Sequence, residues 1–293
     1  ADPTVADLIR YGAAEFEQAQ LAFGHGMGEA VDEAAALVFH ALGHAHEDAA
    51  QVYDQHPSRE AVTKVLALFA QRIEQRVPAA YLMGRMWFAG LEFEVDRRVI
   101  VPRSPFAELI LDGFEPWVDP GQVRRVLDVG TGSGCIAIAC ARHLPRARVD
   151  ATDISEEALA LARENVRRLR LGRRVRCLRS DHFAALKGQT YDIIVSNPPY
   201  VGEREMRALP PEYRHEPRMA LASGKDGLDS VRRILAGAAR HLRPRGLLVV
   251  EVGNTETVLR RRYPRVPFTW LEFARGGGGV FVLTREQLEA HLR

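Results

Sequence analysis

The sequence of 293 residues predicts an α/β protein with a mainly parallel sheet, preceded by a small helical domain and a β-hairpin. From Arg124 onward, short β-forming runs alternate with helical patterns, which is typical of a parallel sheet covered by helices. Residues 4–75 show the 3.6-residue apolar period of helices, whereas residues 87–101 alternate as strands do. The predicted divisions are a helical domain at 1–76, a hairpin linker at 77–104 and an α/β domain at 105–293.

The N-terminal stretch predicts amphipathic helices. Its first apolar stripe consists of Val5, Leu8, Ile9, Ala13, Phe16 and Ala19. Residues 29–43 and 61–76 continue the pattern, which Pro78 breaks. The alternating run WFAGLEFEVDRRVIV (87–101) then predicts a hairpin with its turn near Asp96 and Arg97. Trp87 and Phe88 belong either to the core of this hairpin or to the mouth of a site.

The α/β domain is predicted element by element. A helix is expected at 106–114, followed by strands at 123–130, 147–155, 174–181, 191–200 and 246–253. Helices are expected between them at 135–143, 156–169 and 228–242, and the runs at 268–273 and 279–284 close the chain as an antiparallel pair. Ligands of such sheets bind at the carboxyl ends of the strands. The residues that follow each strand are therefore the candidate site residues.

Composition excludes several classes of protein. An apolar fraction of 46% and a charged fraction of 27% are ordinary for a globular chain. No apolar run approaches the ~20 residues that span a bilayer, and the N-terminus lacks the pattern of a secretory signal. Three cysteines without C-x-x-C spacing, Cys135, Cys140 and Cys177, predict buried free thiols in a cytoplasmic protein. No membrane partner is expected.

No metal site is predicted. His40 and His44 stand four residues apart, with His46 close by, and that spacing can bind a metal. No Glu or Cys completes the set, so the preferred interpretation is a polar helix face.

Charge is distributed unevenly along the chain. The net charge is +2, yet residues 1–75 carry −8 and the remainder +10. The acidic surface of residues 1–75, with Glu29, Asp32 and Glu33, is expected to bind a basic partner. The basic remainder of the chain could bind an anionic partner. Simple solvation explains both features equally well.

A glycine-rich loop follows the first strand of the α/β domain. In DVGTGSG (128–134), Gly130, Gly132 and Gly134 let the backbone turn sharply and let a ligand approach closely. A dinucleotide fingerprint would need glycine at 135, where Cys135 stands. A tight strand–helix turn without a ligand is the alternative.

Acidic residues end three successive strands at Asp128, Asp153 and Asp181. Asp153 can accept hydrogen bonds from ribose hydroxyls. Asp181 can accept one from an exocyclic amine, and a flat side chain beside it, such as His182, can stack on adenine. Each acid alone could simply cap a helix. Together the pattern resembles the class I S-adenosylmethionine-dependent methyltransferases. The resemblance implies the cofactor S-adenosyl-L-methionine and a sheet order of 3-2-1-4-5-7-6, with strand seven antiparallel.

The sequence NPPY (197–200) ends the fourth strand and is the most specific signal in the chain. Prolines donate no backbone hydrogen bond and cannot continue a ladder. The Asn197 side-chain oxygen and the Pro198 carbonyl are then free to accept from one NH₂ group, and Tyr200 can wall a planar group. Held in this way, an amide or amino nitrogen is oriented toward a methyl donor.

Longer stretches narrow the acceptor. The segments 76–105, 216–229 and 266–288 resemble the protein-(glutamine-N5) methyltransferase family, which has a helical N-terminal domain, a hairpin linker and an NPPY catalytic domain. Release-factor enzymes of that family have P-R-P-E-T-E after the hairpin, whereas this chain has PRSPFAE (102–108). With the TWLEF…GVF tail, this departure is similar to the branch that methylates large-subunit ribosomal protein 3.

The resemblance implies the roles of site residues by position. The residues expected to bind the cofactor are Asp128, Gly130, Thr131, Gly132, Ser133, Gly134, Asp153, Asp181, His182 and Asn197. Those expected to hold the substrate glutamine are Asn197, Pro198, Pro199 and Tyr200. Arg103 is expected either to shape the substrate mouth or to pair with Glu108.

Three alternatives stay open at this point. A release-factor glutamine methyltransferase would share the chemistry with a different protein substrate. An adenine N6-methyltransferase shares NPPY, although an acidic extra domain repels phosphate and makes nucleic acid an unlikely substrate. A ribosome-associated binding module with a vestigial cofactor site is the non-enzymatic alternative.

Overall fold

A computed structural model describes residues 2–45 and 49–292. The N-terminal part is helical, as predicted, and its helices pack around one apolar cluster that includes Phe16, Leu37 and Phe69. The helix α1 begins at a capping box in which Thr4 and Asp7 satisfy each other's backbone N–H groups. The helices of this part are α1 (Val5–Gln18), α2 (Ala30–Leu42), α3 (Ala49–Val52), α4 (Arg59–Glu74) and α5 (Ala79–Met83).

A buried ion pair crosses this helical part and corrects the expected acidic face. Glu33 is fully buried and accepts a hydrogen bond of 2.7 Å from Arg72 Nε, whereas Asp32 is exposed. Arg72 is also fully buried and donates to the Ala22 carbonyl. Glu33 therefore belongs to the core of the helical part and is not available to a partner.

The hairpin lies earlier than the sequence predicts. Its strands are β1 (Arg85–Phe88) and β2 (Leu91–Glu94), and its turn is Ala89–Gly90. Both turn residues have positive φ, +47° and +74°. Such a two-residue turn matches the right-handed twist of the two strands that it connects. The predicted turn near Asp96 and Arg97 is wrong, because those residues follow the hairpin in the link to the sheet.

The two aromatic residues at the start of the hairpin have different environments. Phe88 is buried in the core beneath the sheet. Trp87 is 47% exposed, and the Arg85 guanidinium lies 5.4 Å from its ring centroid. Only Phe88 therefore belongs to the hairpin core.

The α/β domain begins after this link and follows the predicted alternation. Its strands are β3 (Arg125–Val129), β4 (Arg148–Asp153), β5 (Val175–Arg179), β6 (Tyr191–Ser196), β7 (Leu242–Glu251), β8 (Thr269–Trp270) and β9 (Val280–Thr284). Its helices are α6 (Phe106–Leu111), α7 (Cys135–His143), α8 (Glu156–Arg168), α9 (Glu203–Ala208), α10 (Asp229–His241), α11 (Glu256–Arg262) and α12 (Arg285–His291).

The seven strands form one sheet in the order β5-β4-β3-β6-β7-β9-β8. Counted from the first strand of the sheet this is 3-2-1-4-5-7-6, and β9 runs antiparallel to both neighbours. The structure thus confirms the predicted fold class and strand order. One apolar cluster, with α6 and α7, packs on one face of the sheet, and a second, with α10 and α12, packs on the other.

A short segment after NPPY connects the parts of the chain. The turn Pro211–His215 and the next residue, Glu216, lie between the helical part and the hairpin link. Glu212 Oε1 accepts from the Ala22 amide at 3.0 Å and from Arg76 at 3.3 Å. The predicted division into domains at 76 and 104 stays a prediction. Across the described residues, no helix combines the length and the apolar character that crossing a membrane requires.

Candidate active site

A cavity of about 360 Å³ opens at the carboxyl ends of β3 to β6. Parallel strands end at the same edge of a sheet, so the side chains that follow them meet there. The predicted residues that line this cavity are Gly130, Gly132, Asp153, Asp181, His182, Asn197, Pro198 and Pro199. The other predicted residues, Asp128, Thr131, Ser133, Gly134 and Tyr200, do not line it and lie next to those that do.

The glycine loop forms one wall of this cavity. Gly130 and Gly132 have φ values of +77° and +54°, and a Cβ atom at either position would meet no atom within 4 Å. The loop therefore leaves open space where side chains would otherwise stand, and a ligand can approach its backbone. Gly134 is different, because its Cβ would lie 3.2 Å from Ala162 on α8.

Asp128 supports the loop from below. Its Oδ2 accepts hydrogen bonds from Thr131 Oγ1 at 2.6 Å and from the Ala137 amide at 3.1 Å. Burial raises the pKa of this carboxyl to about 7, and its Oδ1 atom has no partner among the described residues. A buried acceptor without a donor next to an open glycine loop suits a ligand that carries an N–H or ammonium group.

Asp153 holds the loop from the side. Its carboxylate accepts from the Gly132 amide at 3.0 Å and from the Ser155 amide at 2.9 Å, and burial raises its pKa. Each carboxylate oxygen keeps a free lone pair, so Asp153 can still accept hydrogen bonds from ligand hydroxyls.

Asp181 and His182 are held by neighbouring side chains. Asp181 accepts from Arg233 at 2.6 Å and lies 2.8 Å from His182 Nδ1, whereas His182 Nε2 lies 2.8 Å from Ser230 Oγ. The hydrogen bond from the Arg233 guanidinium lowers the pKa of Asp181. Both ring nitrogens of His182 are thus engaged, which fixes a flat ring at the edge of the cavity.

Asn197 and Pro198 have acceptor atoms without protein donors. Among the described residues, neither the Asn197 carboxamide nor the Pro198 carbonyl takes part in a hydrogen bond within the chain, and both residues line the cavity. The strand before them is fixed to β3, because Ser196 Oγ donates to the Val129 carbonyl at 2.6 Å. Two free acceptors on a rigid strand end can bind one NH₂ group.

Tyr200 follows the two prolines in the chain, and a buried carboxylate holds its hydroxyl. Its hydroxyl donates to Glu251 Oε1 at 3.2 Å, and Ser104 Oγ donates to Glu251 Oε2 at 2.5 Å. Burial raises the pKa of both Tyr200 and Glu251. Gly253 lies against the ring, since a Cβ there would be 2.7 Å from Tyr200 Cε2. Glu251 was not predicted as a site residue, although it ends a buried strand like the other acids.

The predicted pairing of Arg103 with Glu108 is wrong. Arg103 instead forms a bidentate ion pair with the buried Glu216. Its Nη1 and Nη2 atoms donate to Oε1 at 2.5 Å and to Oε2 at 2.9 Å. The guanidinium also lies 5.5 Å from the centroid of the Tyr213 ring. Glu108 accepts from two backbone amides near residue 275. Glu216 also accepts from the Val101 amide at 2.9 Å, so this pair fixes the link beside the cavity.

Two apolar side chains at the cavity were not predicted. Ile154 follows Asp153 and is 47% exposed, and Met219 is 54% exposed. Large apolar side chains that stay exposed beside a cavity are candidates for ligand contact. For Ile154 the available signal was its position immediately after a strand-ending acid.

The described thiols are buried or partly buried, and the described imidazoles form no metal cluster. Cys135 and Cys140 are buried as predicted, and burial raises the pKa of Cys135 to about 12. Cys177 is only partly buried, so that part of the prediction is wrong. His46 lies outside the described residues. Within 2–45 and 49–292, no group of three His, Cys, Asp or Glu side chains is placed to hold a metal ion.

Comparison with known proteins places this chain among methyltransferases. A family model described as "Methyltransferase small domain" matches residues 108–210. A ribosomal protein uL3 glutamine methyltransferase of Xylella fastidiosa (strain 9a5c) is 51% identical, over 98% of this chain and 92% of that protein. Proteins of the same name from Neisseria meningitidis serogroup B and Francisella tularensis are 46% and 43% identical, over 97% of this chain and 94% and 91% of their own lengths.

Solved structures share the fold. A methyltransferase from Pyrococcus furiosus matches with a TM-score of 0.50 at 21% identity, over 67% of this chain and 89% of that one. The hMettl16 catalytic domain, solved in complex with the MAT2A 3′UTR hairpin 6, matches with a TM-score of 0.51 at 19% identity, over 78% and 81%. At these identities the likeness concerns the fold alone.

Proposed function

The chain belongs to the family of ribosomal protein uL3 glutamine methyltransferases, and on that basis we propose that it methylates a glutamine side-chain amide of ribosomal protein uL3. Curated relatives of that name match nearly the whole chain at 43–52% identity. The observation in the site that supports the proposal most directly is the pair of free acceptors on Asn197 and Pro198. The release-factor and adenine alternatives remain as outcomes of the test.

The methyl donor is S-adenosyl-L-methionine, and the residues of the cavity fit it. We assign its ribose hydroxyls to Asp153, its adenine to the space between Ile154 and His182, and its amino acid end to the open glycine loop above Asp128. The bound cofactor would supply a methyl group attached to a sulfonium sulfur. After transfer of the methyl group, this sulfur is part of a neutral thioether, which is the leaving group. No general acid is therefore needed for the leaving group.

Asn197 and Pro198 would act on the substrate amide. An amide nitrogen is a poor nucleophile, since its lone pair is delocalised into the carbonyl. When Asn197 Oδ1 and the Pro198 carbonyl each accept one N–H, the nitrogen is oriented and its lone pair can point at the methyl carbon. Tyr200, held by Glu251, supports the wall behind the prolines.

The transfer forms a C–N bond as the C–S bond breaks, and the nitrogen then loses one proton. We assign no dedicated base. The acidic side chains that line the cavity, Asp153, Asp181 and Asp229, already accept hydrogen bonds from protein donors. We infer that the proton passes to water. We also place the reaction in the cytoplasm, where unassembled ribosomal protein is accessible.

The test is methyl transfer from labelled S-adenosylmethionine to purified unmodified ribosomal protein uL3, a release factor and adenine-containing DNA. Wild type is compared with Asn197→Ala and with Asn254→Ala, an exposed asparagine outside the cavity. We expect N5-methylglutamine in uL3 alone, and a loss of turnover on the order of 10²-fold in Asn197→Ala only. Label on the release factor would correct the substrate, and label on DNA would overturn the proposal.

A further inference from the structure

Residues 163–179 are the most strongly charged stretch of the chain. They contain eight arginines and one acidic residue, Glu164, and so carry a net charge of +7 in a chain whose total is +2. Without this stretch the protein would be acidic. So local an excess of positive charge needs a physical explanation.

The stretch forms one surface, here called the arginine face. It comprises the second half of α8, the turn after it and the edge strand β5. The beginning of α8, at Ser155 and Ala158, lines the cavity. A helix of 13 residues is about 20 Å long, so the end of α8 and the turn after it lie far from the catalytic residues. Only the last residue of β5, Arg179, comes near the cavity, because Ser180 lines it.

Five of the eight arginines have partners within the chain. Arg163, Arg168 and Arg176 pair with Glu156, Glu92 and Asp150. Arg174 and Arg179 donate to backbone carbonyls. These contacts explain the position of the five guanidinium groups, and they leave the surface positively charged.

Three arginines have side chains that form no hydrogen bond or ion pair with any described residue. Arg167, Arg170 and Arg173 are exposed, and together with Arg163 they surround a groove of about 480 Å³ whose floor includes Val166 and Val175. Like charges brought together without partners repel one another. A concave surface with free guanidinium groups is suited to bidentate contact with phosphate oxygens.

We propose that the arginine face binds the phosphate backbone of RNA. The choice of RNA rests on the proposed function, because a ribosomal protein is destined for an RNA partner. RNA bound at this surface would hold the enzyme next to that substrate while the cavity at the other end of α8 stays accessible. None of the exposed large apolar side chains, such as Trp87 or Trp117, belongs to residues 163–179, so the face lacks the anchors that insert into a membrane interface.

The experiment measures binding of the full chain to a short fluorescein-labelled hairpin of large-subunit ribosomal RNA by anisotropy, over a series of salt concentrations. The test variant carries Arg167→Gln, Arg170→Gln and Arg173→Gln. The control variant carries Arg59→Gln, Arg262→Gln and Arg265→Gln, which removes three exposed, unpaired arginines from other parts of the described structure. Vesicles of phosphatidylserine and phosphatidylcholine serve as a second anionic probe.

We expect wild type and the control to bind RNA with similar affinity. The slope of log affinity against log salt should be shallower by about 2–3 in the test variant, because each lost phosphate contact removes 0.7 to 0.9. Methyl transfer to free ribosomal protein should be unchanged in the test variant, which separates this proposal from the proposed function. Equal losses in both variants, no RNA binding by wild type, or binding to vesicles in place of RNA would each overturn the proposal.

Discussion

Replacement of Glu33 by Ala should destabilise the protein strongly, although Glu33 belongs to the acidic N-terminal stretch. The change removes the carboxylate 2.7 Å from Arg72 Nε, and both side chains are fully buried. Arg72 keeps the Ala22 carbonyl at 2.9 Å and the carboxylate of Glu212 at 3.4 Å. The guanidinium therefore loses its nearest counter-charge and stays in an apolar environment.

The magnitude follows from that geometry. Removal of one partner from a buried ion pair costs about 3–5 kcal/mol, since the remaining charge is left uncompensated. Because Glu212 still faces Arg72, we expect the lower end, about 3 kcal/mol, which is more than a hundredfold in the unfolding equilibrium. The neighbouring change Asp32→Ala removes the same charge from an exposed position and should cost less than about 0.5 kcal/mol.

The assay is urea unfolding of wild type, Glu33→Ala and Asp32→Ala, followed by circular dichroism. Glu33→Gln is a third variant, which keeps the shape and a neutral hydrogen bond and should fall between the other two. If Glu33→Ala were as stable as Asp32→Ala, the buried pair would contribute nothing and the reasoning would be refuted. Weaker binding of ribosomal protein by the stable Asp32→Ala variant would support the remaining acidic surface as a docking site.

Three further predictions concern the surroundings of the cavity. Glu251→Ala should raise KM for the protein substrate about tenfold and leave cofactor affinity unchanged, with partial recovery in Glu251→Gln, which keeps an acceptor for the Tyr200 hydroxyl. Weaker cofactor binding in Glu251→Ala, or a KM in Glu251→Gln as high as in Glu251→Ala, would contradict this prediction. Gly253→Ala should act similarly, since φ is +47° and the new Cβ would press on the Tyr200 ring; kinetics like those of wild type would show that the ring position is unimportant. Burial lowers the pKa of His25 to about 4. Between pH 6.5 and 4, His25 is therefore protonated in the unfolded chain and neutral in the folded chain, and protonation favours the unfolded state. Stability should thus fall by up to about 3 kcal/mol between pH 6.5 and 4, and His25→Phe should remove that part of the slope in urea titrations at several pH values; identical slopes would refute it.

The elements of the sheet were predictable because their signals are local. The strands β3, β4 and β7 end at or beside a glycine or an acid, β6 ends at NPPY, and the helices have their own period. The acids at 128, 153 and 181 and the NPPY segment could therefore be assigned to strand ends, and the fold brings these ends together. The strand order came from the resemblance to a family, because local patterns do not encode which strands become neighbours.

The errors concern contacts between residues that are distant in sequence. Glu33 has the charge of a surface residue, and only its partner 39 positions later makes its burial possible. Arg103 stands five residues from Glu108, yet it pairs with Glu216, 113 positions away. The hairpin turn was misplaced for another reason. Alternation continues past residue 94, so the period alone does not show where the chain reverses at Ala89 and Gly90.

The segment at 211–216 has a consequence for exchanging parts between related enzymes. Glu212 is bound by Arg72 and Arg76 of the helical part, and Glu216 is bound by Arg103 of the link. A helical part from a relative would fit only if it supplied basic side chains that pair with Glu212. A link from a relative would likewise need a basic side chain that pairs with Glu216. These residues are thus expected to be inherited as one unit. A chimera joined at the apparent boundary should fold poorly until all of the matching charges are transferred with it.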